Sequence, residues 1–221
     1  LRGLILLGGR SDYTAEDLGT ITVPFVCCSF TNSFGTLSRG EYASVSIEDV
    51  GAASRAVREL HRLGHRRIAA LISETGDRSI SELRYHGYAR ALREFGLEPD
   101  EALVACAGSF GMRDAYEATL RLVDSGAEFT ALFAISDMMA IAAIKALEDR
   151  GRRVPEDCSV IGIDGLELSE YTRPTLTTLV QPRERMGAES VRILMDMIEG
   201  RGGSRQIMLE PELRPGGSVR A

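Results

Sequence analysis

The sequence lacks the motifs that usually hold nucleotide cofactors, catalytic nucleophiles and metals. It contains no G-x-G-x-x-G and no phosphate-binding loop. The segment A-G-S-F-G at residues 107–111 lacks the first glycine of a nucleophile elbow, and no Asp–His pair is placed to serve Ser109. His61 and His65 have a metal-like spacing, but Gly64 ends the predicted helix between them and no third ligand is evident. We therefore predict no cofactor, no metal and no enzymatic activity.

Charge of one sign and long apolar runs are lacking as well. The chain has 26 Lys and Arg against 32 Asp and Glu, with no basic cluster interleaved with aromatic residues, so nothing suggests that this piece itself binds a polyanion. No run is long enough to cross a membrane, and no membrane partner is expected. The four cysteines lie in apolar, strand-like segments without C-x-x-C spacing. They predict buried, reduced thiols and a cytoplasmic protein.

Strand-like and helix-like segments alternate over most of the chain, which predicts an α/β fold with mostly parallel sheets. Residues 29–40 are predicted as a loop, and residues 4–7 as a buried strand. The further strands are predicted at residues 21–28 (broken at Pro24), 67–72, 102–106, 131–135, 159–163 and 207–209, and helices at 49–63, 81–95, 113–125, 137–150 and 184–199.

One stretch of the sequence carries the strongest functional signal. It reads V-P-E-D-C-S-V-I-G-I-D at residues 154–164 and continues as P-T-L-T-T-L-V-Q-P at residues 174–182. Asp164 follows a short apolar strand, and ligands of open α/β sheets bind at the carboxyl ends of the strands. The two motifs together resemble the effector-binding domain of the LacI/GalR family of bacterial transcription regulators, and the resemblance extends over nearly the whole chain.

The resemblance implies two Rossmann-like parallel-sheet subdomains of the type I periplasmic-binding-protein-like fold. The chain would cross between them near residues 45–47, 178–182 and 205–207, and the crevice between them would hold the ligand. Residues 1–46 and 183–206 would form an N-terminal subdomain, and residues 47–182 and 207–221 a C-terminal one. Family members begin with a helix-turn-helix, a hinge and two βα units, so we expect the N-terminal subdomain to be incomplete and operator DNA to be bound only by a domain outside this chain.

The resemblance also assigns candidate ligand-binding residues. Arg84 lies in S-E-L-R-Y-H-G-Y-A-R-A-L, which is similar to a family motif, and Asp164 ends the strand described above. Phe110 matches an aromatic residue that stacks on the ligand in relatives. Each has a plainer alternative: a solvated helix face for Arg84, a cap of the next turn for Asp164, and a loop aromatic folded onto the core for Phe110. The remaining candidates are Ser136, where relatives commonly have Asn, Gln181 at the second crossing, Ser29, Arg78 and Ile80.

Other positions argue against assigning the ligand of any particular relative to this chain. Relatives often carry Asp-Asn where this chain has Ile47-Glu48, so one polar ligand contact is absent or replaced. Asp137 is a plausible N-cap of the helix that follows it. That helix is apolar all round between Met138 and Ile144, so it lies either in the core or, as the resemblance suggests, on a two-fold dimer surface.

The function predicted from these features is effector binding and dimerisation in a LacI-type transcription regulator. We predict that this regulator is a repressor. The effector would be a small polar molecule such as a sugar, a polyol or a nucleoside-like compound. The alternative from another class is a periplasmic sugar-binding receptor of the same fold, which would be exported and monomeric. The third possibility is an enzyme, but the sequence contains no recognisable catalytic group.

Overall fold

The computed structural model of this protein describes residues 1–38 and 40–220. Arg39 of the predicted loop 29–40 and Ala221 of the predicted C-terminal subdomain lie outside the described residues. The strands are β1 (Leu4–Leu7), β2 (Phe25–Cys28), β3 (Ala43–Ile47), β4 (Ile68–Ile72), β5 (Val104–Cys106), β6 (Ala131–Ala134), β7 (Ser159–Asp164), β8 (Thr177–Val180), β9 (Gln206–Leu209) and β10 (Glu212–Arg214). The helices are α1 (Ala15–Leu18), α2 (Asp49–Arg62), α3 (Ile80–Glu94), α4 (Met112–Asp124), α5 (Asp137–Asp149) and α6 (Arg183–Ile198), with two 3-10 turns at Glu101–Leu103 and Glu167–Glu170.

These elements form two compact units. The first contains Leu1–Glu48, Arg78–Ile80 and Pro182–Pro211, and the second contains Asp49–Asp77, Ser81–Gln181 and Glu212–Ala221. Each unit is built on its own mainly parallel sheet, as the predicted α/β class requires. Within residues 1–38 and 40–220, no helix combines the length and the apolar character needed to span a bilayer.

The first unit has a four-stranded parallel sheet in the order β1-β2-β3-β9, and α6 packs against β1, β2 and β3. The prediction of a buried first strand is wrong, because β1 is an edge strand and the Leu7 side chain is 80% exposed. The strand at residues 206–209 pairs with β3, Val45 opposite Ile207. Residues 207–211 therefore belong to the first unit, whereas the sequence assigned them to the C-terminal subdomain.

The second unit has a six-stranded sheet in the order β10-β8-β7-β6-β4-β5, parallel except for β10. Its central strands β4 and β6 are buried along their whole length, which explains why their sequences are continuous apolar runs. Helix α2 packs on β6, β7 and β8, while α5 packs on β7 and on α4. Most of α5, including Met139, Ala140 and Ala143, is buried in this unit, so its apolar character is explained by the core.

The four cysteines are free thiols, and three of them are buried as predicted. Cys106 is the exception, because it lies exposed at the end of the edge strand β5. The prediction of four buried thiols is therefore wrong at Cys106. Burial raises the pKa of the Cys27 and Cys158 thiols to about 12, which keeps both protonated and inert.

Candidate functional site

The candidate site lies in the second unit, at the edge of the sheet where β6, β7 and β8 end. The three strands are parallel, so Ile135 after β6, Asp164 at the end of β7 and Gln181 after β8 reach the same edge. The Asp164 side chain is 22% exposed there. It is the carboxylate that the sequence placed at a strand terminus.

Arg84 of α3 is buried against this edge and is held by two carboxylates. Its Nε donates to Asp49 Oδ1 at 2.8 Å, and its Nη1 lies 3.5 Å from Asp164 Oδ1. The same nitrogen also donates to the carbonyl of Ile135. The side chains of Arg84 and Asp49 are only 5% and 4% exposed. The plainer alternative, an arginine on a solvated helix face, is therefore wrong.

The electrostatics of this ion triad favour a permanently charged guanidinium. Burial lowers the pKa of Arg84, but the negative charges of Asp49 and Asp164 and their hydrogen bonds outweigh it, so that the pKa is raised above the ordinary arginine value. One buried cation thus faces two carboxylates. A ligand at Asp164 would meet a fixed, pre-oriented negative charge.

Gln181 completes the support of Asp164. Its side-chain Nε2 donates to Asp164 Oδ1 at 2.7 Å, and its backbone N–H donates to the Asp164 carbonyl at 3.2 Å. Within the described residues, both hydrogen bonds to the Asp164 side chain end on Oδ1. The partly exposed carboxylate therefore has Oδ2 left to accept hydrogen bonds from a ligand.

Two carboxylates that bind residues of this edge were not predicted in that role from the sequence. Asp49 was predicted only as a helix start, and its contact with Arg84 joins residues 35 positions apart. Asp137 was predicted as an N-cap, but Ser136 is the N-cap of α5, and its Oγ accepts from the Met139 N–H at 3.3 Å. The Asp137 carboxylate is fully buried and accepts from the Leu166 N–H at 2.7 Å and from the Thr178 hydroxyl.

The pKa of Asp137 is raised above the ordinary aspartate value. Burial is the main cause, and the nearby negative charge of Asp164 adds to it. The hydrogen bonds from Thr178 and Leu166 act in the opposite direction, because they stabilise the carboxylate. The Asp137 side chain is therefore poorly solvated and is held by specific hydrogen-bond donors.

Phe110 lies in the second unit, in the turn between β5 and α4. Its side chain is 43% exposed, so the alternative in which it folds onto the core is wrong. The preceding Ser109 caps the turn by accepting from the Gly111 N–H at 2.9 Å and by donating to Asp114. An aromatic face is therefore presented to solvent on a turn that is internally hydrogen-bonded.

The structure places the other three candidates in the first unit. Ser29 follows β2 with φ +70° and donates its N–H to Val45 O at 2.9 Å. Arg78, with φ +52°, donates to the carbonyl of Phe34. Ile80 packs on the buried cluster of Cys27, Phe30 and Tyr42. The sequence had assigned Arg78 and Ile80 to the C-terminal subdomain, and the first unit includes them instead.

Comparison with known proteins identifies the class of this fold. The family model of the periplasmic binding protein-like domain matches residues 57–219. The HTH-type transcriptional regulator MalR of Clostridium butyricum is 36% identical over 96% of this chain and 63% of its own length. CytR, a transcriptional repressor of Escherichia coli K12, is 34% identical over 99% of this chain and 63% of its own length. The chain thus spans a little under two thirds of these relatives.

Solved structures agree with these relatives. A complex of the transcriptional regulator CelR with cellobiose superimposes with a TM-score of 0.88 at 34% identity, over 99% of this chain and 66% of that one. A LacI-family regulator from Sanguibacter keddieii gives a TM-score of 0.84 at 30% identity, over 98% of this chain and 79% of that one. The fold is that of a periplasmic-binding-protein-like effector-binding domain. The chain belongs to the LacI family of transcription regulators.

Proposed function

We propose that this domain senses a sugar or a similar polyhydroxy compound for a LacI-type transcription regulator, and that the regulator is a repressor. The observation that carries the proposal is the partly exposed Asp164 carboxylate, fixed by buried Arg84 and by Gln181 at the carboxyl edge of a parallel sheet. The relatives reported above are named as regulators, and the solved structure of the regulator CelR is a complex with cellobiose. These names favour a regulator over a periplasmic receptor and over an enzyme.

The chemistry of the edge supports a polyhydroxy ligand. A carboxylate with a free oxygen accepts hydrogen bonds from hydroxyl groups and fixes their direction. The exposed face of Phe110 supplies the apolar surface on which sugar rings stack. The Ser136 hydroxyl accepts from a backbone N–H and keeps its own proton to donate. Gln181 keeps its amide oxygen as an acceptor.

The residues of the first unit are proposed as further ligand contacts. Ser29 and Arg78 both have positive φ values, which are uncommon for residues other than glycine and often occur at functional sites. Ile80 adds an apolar side chain at the start of α3. The family resemblance supports this proposal, because Arg78 and Ile80 match positions that touch effector in relatives and Ser29 matches a position often held by Asp. Their contribution can be measured separately from that of Asp164 by single substitutions.

The remaining parts of the proposal concern the whole protein. We infer that it is a cytoplasmic homodimer that binds operator DNA through a helix-turn-helix, and that effector binding changes operator affinity. A ligand can shift such an equilibrium only by its differential affinity for the two states. The proposal includes no catalytic step, no cofactor and no membrane partner.

A binding screen on the full-length protein tests the proposal. Calorimetric titration with cellobiose, maltose, other disaccharides, polyols and nucleosides should reveal at least one ligand with measurable affinity. Asp164→Ala should weaken that affinity by roughly 30-fold or more, because a charge-assisted hydrogen bond is lost. Asp124→Ala is the matched control, since Asp124 is an exposed carboxylate of the same unit that pairs with Arg150. Unchanged affinity in Asp164→Ala would contradict the assigned site.

A further inference from the structure

The backbone turns sharply at the point where the candidate ligand-binding carboxylate is attached. Asp164 has φ +139° and Gly165 has φ +70°. The first value is rare for a residue with a side chain and costs on the order of 1–3 kcal/mol, so surrounding contacts must hold it. Gly165 cannot be replaced freely either, because a Cβ there would lie 2.6 Å from Val180 Cγ1.

Two backbone N–H groups of this turn are linked by hydrogen bonds to the Asp137 carboxylate. The Leu166 N–H donates directly to Asp137 Oδ2 at 2.7 Å. The Gly165 N–H donates to Thr178 Oγ1 at 3.3 Å, and the Thr178 hydroxyl donates to Asp137 Oδ1. Two successive backbone N–H groups after Asp164 therefore end on one carboxylate, one directly and one through a hydroxyl.

The position of the Asp137 carboxylate is itself fixed by its surroundings. Asp137 is fully buried in the first turn of α5, where the helix dipole favours a negative charge. Gly162 leaves the space for it, because a Cβ at Gly162 would lie 2.7 Å from Asp137 Oδ1. The carboxylate therefore lies against β7 in space that a side chain at position 162 would fill. The turn is thereby linked to the start of α5.

We propose that Asp137 is a positioning residue of the effector site, acting through Thr178 and the Gly165–Leu166 backbone. It makes no contact with the ligand. It holds the turn in the conformation in which the Asp164 carboxylate points toward Arg84 and Gln181. The inference rests on the proposed function of Asp164 as a ligand-binding residue, and it adds a residue that neither spacing nor exposure would single out.

A carboxylate suits this role better than an amide does. Both partners of Asp137, the Leu166 N–H and the Thr178 hydroxyl, donate to it. Asparagine has one acceptor and one donor at these positions. If its amide nitrogen faces Leu166, two donors oppose each other. If it faces Thr178, the hydroxyl already accepts from Gly165 and its own proton loses its acceptor.

The experiment compares Asp137→Asn, Thr178→Val and Thr178→Ser in the full-length protein. The first readout is ligand-independent: amide hydrogen exchange of Gly165 and Leu166, and the side-chain amide signal of Gln181, measured by NMR. Asp137→Asn and Thr178→Val should speed exchange at one or both amides by roughly 10-fold or more, and shift the Gln181 signal. Thr178→Ser keeps the hydroxyl and should restore both. Thr119→Val is the matched control, because Thr119 is buried in α4 and its hydroxyl donates to Ala115 O within the same helix.

The second readout is the dissociation constant for cellobiose, which separates the two proposals. If Asp164→Ala weakens cellobiose binding and Asp137→Asn and Thr178→Val weaken it by roughly 10-fold while Thr119→Val does not, the positioning role is supported. If only Asp164→Ala has an effect, the inference is overturned and the proposed function stands. If wild-type protein does not bind cellobiose, the hydrogen-exchange data alone test the positioning role of Asp137. Unchanged exchange in both Asp137→Asn and Thr178→Val then overturns the inference.

Discussion

Removing the charge of Arg84 tests the buried ion triad most directly. Arg84→Met keeps much of the side-chain volume but leaves Asp49, whose side chain is 4% exposed, without its 2.8 Å partner. Breaking a buried pair in this way costs about 3–5 kcal/mol, because the remaining carboxylate stays buried after losing the cation that balanced its charge. Asp49→Asn should cost a similar amount, since it leaves the guanidinium with the more distant Asp164.

The same structure predicts a much smaller effect at Asp164. Its carboxylate lies 3.5 Å from Arg84 and is 22% exposed, so water replaces part of the lost interaction. Asp164→Asn should therefore destabilise the fold by only about 1 kcal/mol or less. This ranking separates the two roles that we propose: Asp49 stabilises the fold, and Asp164 binds the ligand.

Urea unfolding followed by circular dichroism measures this ranking. For a slope of about 2–3 kcal/mol per M, the two large effects shift the midpoint by more than about 1 M. Arg58→Met is the matched control, because Arg58 forms an exposed pair with Glu94, 45% and 39% exposed, that should contribute about 1 kcal/mol at most. Equal losses for Asp49→Asn and Asp164→Asn would refute the reasoning.

Three further predictions concern the frame around the site. His65 is buried, and its pKa is lowered mainly by burial, so stability should fall as the pH drops below about 6.5, where the unfolded chain binds the proton first. His65→Gln should reduce that slope in urea midpoints measured between pH 7.5 and 5.5, and the lowered pKa of His61 should account for part of what remains. Gly165→Ala should destabilise the fold by about 1–3 kcal/mol, because position 165 has a positive φ and the added Cβ would press on Val180. Gly187→Ala, at an open position inside α6, should stabilise the fold by about 0.5–1 kcal/mol. Equal shifts of the melting temperature in the two variants would contradict this prediction. A thiol reagent should label one cysteine of the described chain in the native state, Cys106, and Cys106→Ser should abolish that labelling.

Much of the fold follows from hydrophobic periodicity. The predicted helices at residues 49–63, 113–125 and 137–150 agree with α2, α4 and α5 to within one residue at each end. In each case apolar residues recur at helical spacing and a glycine with positive φ follows the last turn, at Gly64, Gly126 and Gly151. Local sequence is sufficient for such elements, because both the packed face and the stop signal lie within the segment.

The elements that sequence patterns missed are those whose structure depends on distant partners. Strand β3 reads A-S-V-S-I and was predicted only as a crossing between subdomains, because its alternation is short and its neighbours are loops. It becomes a central strand by pairing with β2 on one side and with β9, more than 150 residues further on, on the other. Strand β8 was missed for the same reason, and it pairs with β7 and β10.

The candidate site could be predicted only in part, for a related reason. Asp164 stands at the end of a recognisable strand, so its place at the sheet edge follows from topology. The partners that fix its side chain come from two other segments, with Arg84 80 positions away and Gln181 17 positions away. The sequence shows that these side chains are present, but not that the fold brings them into contact.

The burial of Arg84 changes how its role should be understood. The resemblance assigns it to the ligand, yet its side chain is 5% exposed, its Nε binds Asp49, and its Nη1 binds the Ile135 carbonyl and faces Asp164. A ligand that took a strong hydrogen bond from either of these two nitrogens would have to compete with these partners. The larger effect of Arg84 on affinity should therefore come through Asp164, whose charge it fixes in direction. Arg84→Lys, which keeps the charge but loses the planar fork, should then weaken ligand binding through a mobile Asp164, and ligand titration of this variant beside Asp164→Asn measures that coupling.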